Sequence, residues 1–254
     1  MVKKILSILL WVATAAALVF LFIFARENYL DKPVQGVNLL PAIDSGFVRK
    51  SVLQKELQES YGTSKIGTID MRKIQKLLND IPWIESNAAY VDLDGNLNVS
   101  YKEYEPRFRY FDNKGRSMYV TDEGVVIPSC SNYTPYVLVA SGNFEIKNDS
   151  SSYALCDTLE PDRAILNALY WIKAIESNPF IANCVGQLYY NSRNDFELTV
   201  KGLDAQVVVG DTCLAADKLH RLEIFMKQRI NRPETQSLKI INLKYKNQIV
   251  CTKR

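Results

Sequence analysis

The strongest hydrophobic pattern in the chain is a single run. Residues 5–25, ILSILLWVATAAALVFLFIFA, contain no charge, no proline and no glycine. At about 1.5 Å per residue such a run makes a helix of about 31 Å, close to the ~30 Å hydrocarbon core of a bilayer. Its only hydroxyls, Ser7 and Thr14, can bond back to a carbonyl one turn earlier, which costs little in lipid. The run is longer than the apolar part of a secretory leader. It also ends in Phe22-Ile23-Phe24-Ala25-Arg26, bulky where a cleavage site needs small residues. An uncleaved transmembrane helix is therefore expected, with a cleaved leader and a buried soluble helix as the alternatives. Basic residues tie across it, Lys3 and Lys4 before and Arg26 and Lys32 after, so charge orients it only weakly. A tail of residues 1–4 has nothing to do in the cytoplasm, which favours placing the bulk of the chain outside.

After a tether at residues 26–33, the periodicity alternates between two and 3.6. Val37 and Leu39, continued by Pro41 and Ile43, predict a first strand. Ser51-Val52-Leu53-Gln54 fits a capping box for a helix to about Ser60, stopped by Gly62. Asp70 is placed to cap a second helix whose Met71, Ile74, Leu77, Leu78 and Ile81 share a face before Pro82. Residues 88–92, the pair Asp94-Gly95, and the alternating Leu97, Val99 and Tyr101 predict a hairpin with a two-residue turn. Residues 34–106 thus read strand, helix, helix, strand, strand.

Residues 107–254 are richer in strands. A hairpin turns at Asp112-Asn113-Lys114-Gly115, a strand at 125–127 follows Asp122-Glu123-Gly124, and a short strand is expected at 137–140. Residues 143–158 are polar and serine-rich, which predicts an exposed loop. Pro161 opens a helix to Ser177 with Ile165, Leu169, Ile172 and Ile175 on one face. Strands at 185–190, 196–200 and 205–209 precede a helix from Asp211 or Thr212 to about Ile230, with Leu219, Leu222 and Phe225 or Met226 inward. A loop at 231–237 and strands at 238–243 and 246–251 complete the chain. The fold class is α+β: one transmembrane helix, a β-α-α-β-β domain, and a strand-rich mixed β domain with two helices.

Composition narrows the function. A formal charge of +3 over 254 residues gives no case for nucleic acid. Cys130, Cys156, Cys184, Cys213 and Cys251 are widely spaced and odd in number. They read as small buried hydrophobes or as one or two disulfides, with no zinc spacing. His220 is the only histidine and lies mid-helix, away from any nucleophile motif, so a triad has no base and the residue reads as helix surface or core. No phosphate-binding glycine loop follows a strand. Asp92/Asp94 and Asp122/Glu123 fall in turns, where acids favour turn geometry. Asn98, Asn132 and Asn148 head sequons. Arg107, Arg109, Lys114 and Arg116 read as a solvated face, with a partner surface as the minor reading. No enzyme activity, cofactor or metal is expected. An anchored module built for contacts remains, since a strand-rich domain with a free edge can accept a partner's strand.

Residues 74–105, with Pro82-Trp83, Ala89-Tyr90-Val91 and Tyr104-Glu105-Pro106, resemble the FtsQ/DivIB family of bacterial cell-division proteins. Residues 118–128, MYVTDEGVVIP, resemble that family's following hairpin in its Bacteroidetes-like form, and Ile241-Asn242-Leu243-Lys244-Tyr245 is similar to its "IDLRY". Asn242 and Lys244 depart from the family's Asp and Arg, so a bidentate contact made there by relatives is lost to a point charge. The resemblance implies that residues 34–106 form a POTRA domain and that the protein is a non-enzymatic, single-pass inner-membrane component of the divisome. Its bulk would lie in the periplasm and gather at the septum, binding FtsB and FtsL and helping to regulate septal peptidoglycan synthesis. FtsB would add a strand at the C-terminal edge, at Lys244, Tyr245, Lys246, Asn247, Gln248, Ile249 and Val250, with Tyr245 as the anchor. Another POTRA-bearing envelope biogenesis protein and a membrane-anchored hydrolase of cell-wall sugars are the competing readings. The hydrolase needs two opposed carboxylates across a cleft.

Overall fold

The computed structural model describes residues 2–43, 46–146, 151–155, 162–229 and 232–254. The chain divides into two compact units, Met1–Glu103 and Tyr104–Arg254.

The smaller unit begins with α1 (Val2–Leu30). Its segment Leu9–Leu30 has a mean hydropathy of 2.2 and is long and apolar enough to cross a membrane. Residues 9–28 are exposed, so among the described residues nothing covers this surface. Thr14 Oγ1 donates to the Trp11 carbonyl at 2.9 Å, the local bond that makes a hydroxyl tolerable in lipid. The helix runs through most of the stretch read as a tether, because Tyr29 and Leu30 pack against the unit's core.

The body of this unit is β1 (Gly36–Ile43), α2 (Lys50–Tyr61), α3 (Met71–Asn79), β2 (Ile84–Val91) and β3 (Asn96–Glu103), with a 3-10 turn at Ile66–Thr68. β3 is central, parallel to β1 and antiparallel to β2. Its alternate residues Leu97, Val99 and Tyr101 are buried against Leu53 and Leu57 of α2 and Ile74 and Leu78 of α3. Burying each such side chain stabilises the fold by about 1.5–3 kcal/mol. Asp70 caps α3 by accepting from the Arg72 amide at 3.0 Å. The capping box expected at Ser51 does not form. The helix starts two residues earlier, with Arg49 as an N-cap that makes no side-chain cap bond. Burial of Leu53 and Leu57 sets that register in place of the local signal.

The β2–β3 turn also differs from the two-residue form. Asp92 and Asn96 close it, the Gly95 amide bonds to the Asp92 carbonyl, and only Gly95 has positive φ, +90°. This is a type I turn closed by one left-handed residue. Asp112 to Arg116 and Asn191 to Asp195 repeat it, with Gly115 and Asn194 left-handed. In each, the leading Asp or Asn side chain accepts a turn amide, which is why these residue types stand there.

The larger unit is organised on one ten-stranded sheet. Its strands are β4 (Pro106–Phe111), β5 (Ser117–Thr121), β6 (Val125–Pro128), β7 (Leu138–Gly142), β8 (Tyr153–Ala154), β9 (Val185–Tyr190), β10 (Phe196–Val200), β11 (Gln206–Gly210), β12 (Leu238–Asn242) and β13 (Val250–Lys253). Their spatial order is β13-β12-β11-β10-β9-β7-β4-β5-β6-β8. α4 (Arg163–Glu176) and α6 (Ala215–Arg229) bury Trp171, Ile172, Leu222 and Met226 in one cluster with Phe108, Leu188 and Val207 of the strands. Asp162 caps α4; Pro161 and Ile230, the expected helix ends, lie outside the described residues.

Two short helices join the two expected ones: α5 (Pro179–Cys184) and α7 (Pro233–Gln236), each opened by a proline in its first turn. Of residues 143–158, 147–150 and 156–158 lie outside the described residues, and the others are not simply an exposed loop. Phe144, Ile146 and Leu155 are buried, and β8 pairs with β6. Phe144 stands between Tyr110 and Tyr190, with ring centroids at 5.7 and 5.4 Å, so aromatic packing outweighs the local polarity. Cys130, Cys184, Cys213 and Cys251 are free thiols, and none is fully buried, against the reading of buried hydrophobes. Cys156 and Asn148 lie outside the described residues.

Candidate partner-binding edge

β12 and β13 form an antiparallel pair at one end of the large sheet, with Ile240 opposite Thr252, Ile241 opposite Cys251 and Asn242 opposite Val250. β13 is the outermost strand, and all four of its residues are exposed. Its outer row of amides and carbonyls faces away from β12, which is the arrangement a further strand can extend. The opposite end of the sheet closes on β8, only two residues long.

The expected site residues fall mainly in the connection before this strand. The strand read at 246–251 begins only at Val250, because Asn247 adopts a left-handed φ of +58° and turns the chain. Lys244, Tyr245, Lys246, Asn247 and Gln248 are exposed in that turn, and Ile249 packs against the core. Tyr245 is 50% exposed and Val250 40%, so an aromatic and an aliphatic side chain both stand free on the rim.

Arg221 holds the turn. Its Nη1 donates to the Tyr245 carbonyl at 2.9 Å and to the Gln248 carbonyl at 2.6 Å, and its Nη2 to the Leu243 carbonyl at 3.2 Å. Its Nε donates to Asp217 Oδ2 at 3.0 Å, one turn earlier on α6. One planar guanidinium therefore ties three carbonyls of the connection to a rigid helix, which a lysine cannot reproduce. The spacing of Asp217 and Arg221 is visible in the sequence as a helical ion pair. The three carbonyls, which lie 22, 24 and 27 residues away, are not.

Other contacts seat the rim. Lys244 Nζ reaches Asp195 Oδ2 at 2.7 Å, so the residue that departs from the familial Arg makes a single ion pair. Gly210 lets it pass: its φ is +69°, and a Cβ there would lie 2.8 Å from Lys244 Cγ. At the start of α6, buried Lys218 donates to the Asp211 carbonyl at 2.8 Å and carboxylate at 2.9 Å. That bond holds the Asp211 carboxyl below the usual range, against the opposing effect of burial. Between α6 and the rim lies an open groove of about 720 Å³ floored by Leu238 and Ile249 and walled by Ile224, Phe225, Arg229 and Cys251.

The residues weighed for chemistry are engaged elsewhere. Asp92 accepts from the Asn96 amide at 2.8 Å and Asn98 Nδ2 at 2.9 Å, and Asp122 accepts from Lys173 at 3.0 Å. His220 stands on the surface of α6, its Nδ1 3.8 Å from Glu223. The arginines read as a solvated face are largely tied down: Arg107 pairs with Glu176, Arg109 lies 4.7 Å over the Phe111 ring, and Arg116 pairs with Asp112 at 2.8 Å. Lys114 is exposed as expected.

Among families of known proteins, the model described as FtsQ/DivIB, C-terminal related, matches residues 105–252, more than half of the chain. The match spans the sheet from β4 to Thr252 in β13 and includes every expected site residue, Lys244 to Val250. Comparison with curated proteins gives no match.

Proposed function

Because the chain belongs to the FtsQ/DivIB C-terminal related family, we propose that it is a bitopic divisome scaffold, non-catalytic, which captures FtsB, and with it FtsL, by strand addition. The smaller unit serves as the POTRA domain, α1 anchors the protein in the inner membrane, and both units work in the periplasm at the septum. By binding its partners there, the protein helps regulate septal peptidoglycan synthesis.

The observation that supports this reading best is the outer row of β13. It belongs to a four-residue, fully exposed strand flanked by Tyr245 and by a groove with an apolar floor. Main-chain pairing along such an edge supplies affinity, and pockets for alternate side chains supply specificity. Lys244 to Val250 then lie where an incoming strand meets the turn and the first residue of β13.

The test is co-purification of the full chain, in detergent or nanodiscs, with the FtsB and FtsL chains of the same organism. A stable complex is expected, with new amide protection confined to residues 250–253 and the neighbouring turn. Absence of a complex, or protection placed on the smaller unit alone, rules the reading out. The full chain is the right reagent because Tyr29 and Leu30 belong to the smaller unit's core.

A further inference from the structure

We propose that the tip of the β2–β3 hairpin, with Leu93 at its apex, is a membrane-contact site that seats the smaller unit on the bilayer crossed by α1. The proposal rests on α1 being a membrane span and is independent of what binds the C-terminal rim. The hairpin tip and the 3-10 turn are bonded to the end of α1 and to the residues that follow it. Tyr29 Oη donates to the Asp92 carbonyl at 2.6 Å. The Ile66 amide donates to the Lys32 carbonyl and the Gln35 amide to the Gly95 carbonyl, both at 2.9 Å. Gly67 lies so close that a Cβ there would sit 3.1 Å from Leu30 Cβ. Helix end and hairpin tip are therefore packed and bonded together.

That packing sets the depth of the tip. Tyr29 is four residues past Ala25, the last residue of the uncharged run, which is about 6 Å of helix rise. The headgroup region on each side of the hydrocarbon is roughly 5–7 Å thick. Side chains on a helix tilt toward its N-terminus, so the Tyr29 phenol leans back toward the apolar span. Interfacial tyrosines favour this level. A carbonyl bonded to that phenol is at headgroup depth, and Leu93 is the next residue.

Leu93 is 91% exposed, against 51% for Tyr90 in the preceding strand. A lone exposed leucine is ordinary on a protein surface. This one differs in being fixed where apolar surface has somewhere to go. Of the two acids that flank it, Asp92 is held inside the hairpin by the Asn96 amide and Asn98, while Asp94 is exposed, so the contact is confined to the Leu93 side chain. The surrounding charges are mixed: Asp31 pairs with Lys65 at 3.0 Å. The contact is thus apolar and does not require anionic lipid. With α1 it makes a second point of attachment, which restrains the smaller unit from rocking about the helix end.

The test places a diazirine analogue of leucine at position 93 of the full chain, reconstituted in phosphatidylcholine bilayers. Position 22 in α1 serves as the lipid-facing control. Position 52, on exposed Val52 at the far end of α2, serves as the water-facing control. After irradiation, lipid adducts are measured by mass spectrometry. Adducts at 22 and at 93, severalfold above those at 52 and unchanged by high salt, support the proposal. Adducts at 22 with position 93 no higher than 52 overturn it and leave the anchor standing. Adducts at neither remove the anchor, and the proposal falls with it.

Discussion

β3 and β13 are both strands, and they stand under opposite physical conditions. β3 has eight residues, a neighbour on each side, and Leu97, Val99 and Tyr101 in the core. β13 has four residues, one neighbour and no buried side chain. Burial of its own apolar face holds β3. β13 has no such face, and its position depends on Ile249 before it and on the grip of Arg221 on the connection. Held by its pairing with β12 and by its approach, it can stay in register and keep a free side.

The largest effect should come from the buried strand. Leu97→Ala is expected to cost about 2–5 kcal/mol, read from urea or thermal unfolding of the smaller unit. Val250→Ala, the matching truncation on the rim, should stay within about 0.5 kcal/mol. Equal losses would break the comparison.

Arg221→Gln comes next. Hydrogen bonds from a charged group are worth about 1.5–3 kcal/mol, and the exposed carbonyls it leaves can rehydrate. Amide exchange in residues 250–253 should rise roughly tenfold or more, since 1.4 kcal/mol is a factor of ten. Arg221→Lys should recover little of this, because the fork geometry is lost. Unchanged exchange would mean that β13 holds itself.

Tyr245→Ala should weaken capture of FtsB by at least about 1 kcal/mol while leaving unfolding unchanged. Titration of the purified full chain separates the two. Loss of both would make Tyr245 a structural residue and shift the binding site elsewhere.

The smallest effect is acid sensitivity, and it should touch both regions. The amide of Asn96, with help from Asn98, holds the Asp92 carboxyl below its ordinary value, and the Lys218 ammonium does the same for Asp211. A carboxyl depressed in the folded state contributes stability that is present above the unfolded value of about 3.9 and is lost as pH falls through the folded one. The Asn96 amide and the start of α6 should therefore loosen only below about pH 4, with no change between pH 5 and 8. Amide chemical shifts followed by NMR would show it, and loosening at pH 6 would contradict the assignment.

Several of these features could be read from short stretches of chain. Residues 5–25 are apolar all round, so a helix long and apolar enough to cross a membrane can be read there without the rest of the chain. Leu97, Val99 and Tyr101 alternate, and so name their own buried face. Asp92 and Asp112 announce turns because a carboxylate bonds to amides two or four residues on. The family match covers the stretches at 118–128 and 241–245 that carried part of the resemblance. Other signals were overruled. Ser51 lost its cap to the burial of Leu53 and Leu57, and Phe144 was hidden in a polar stretch because its ring partners, Tyr110 and Tyr190, are distant in the chain.

What the sequence by itself determined, then, is the main order of elements: an apolar helix long enough to cross a membrane, a small mixed body, a strand-rich body, and the family to which the chain belongs. Only the tertiary structure decided which strand is outermost, that Arg221 reaches forward to three carbonyls, and that Leu93 hangs beside the end of α1. Periodicity reports on neighbours within a turn or a pleat. Edges, clamps and depths are relations between residues tens of positions apart, and they exist only once the chain has closed on itself.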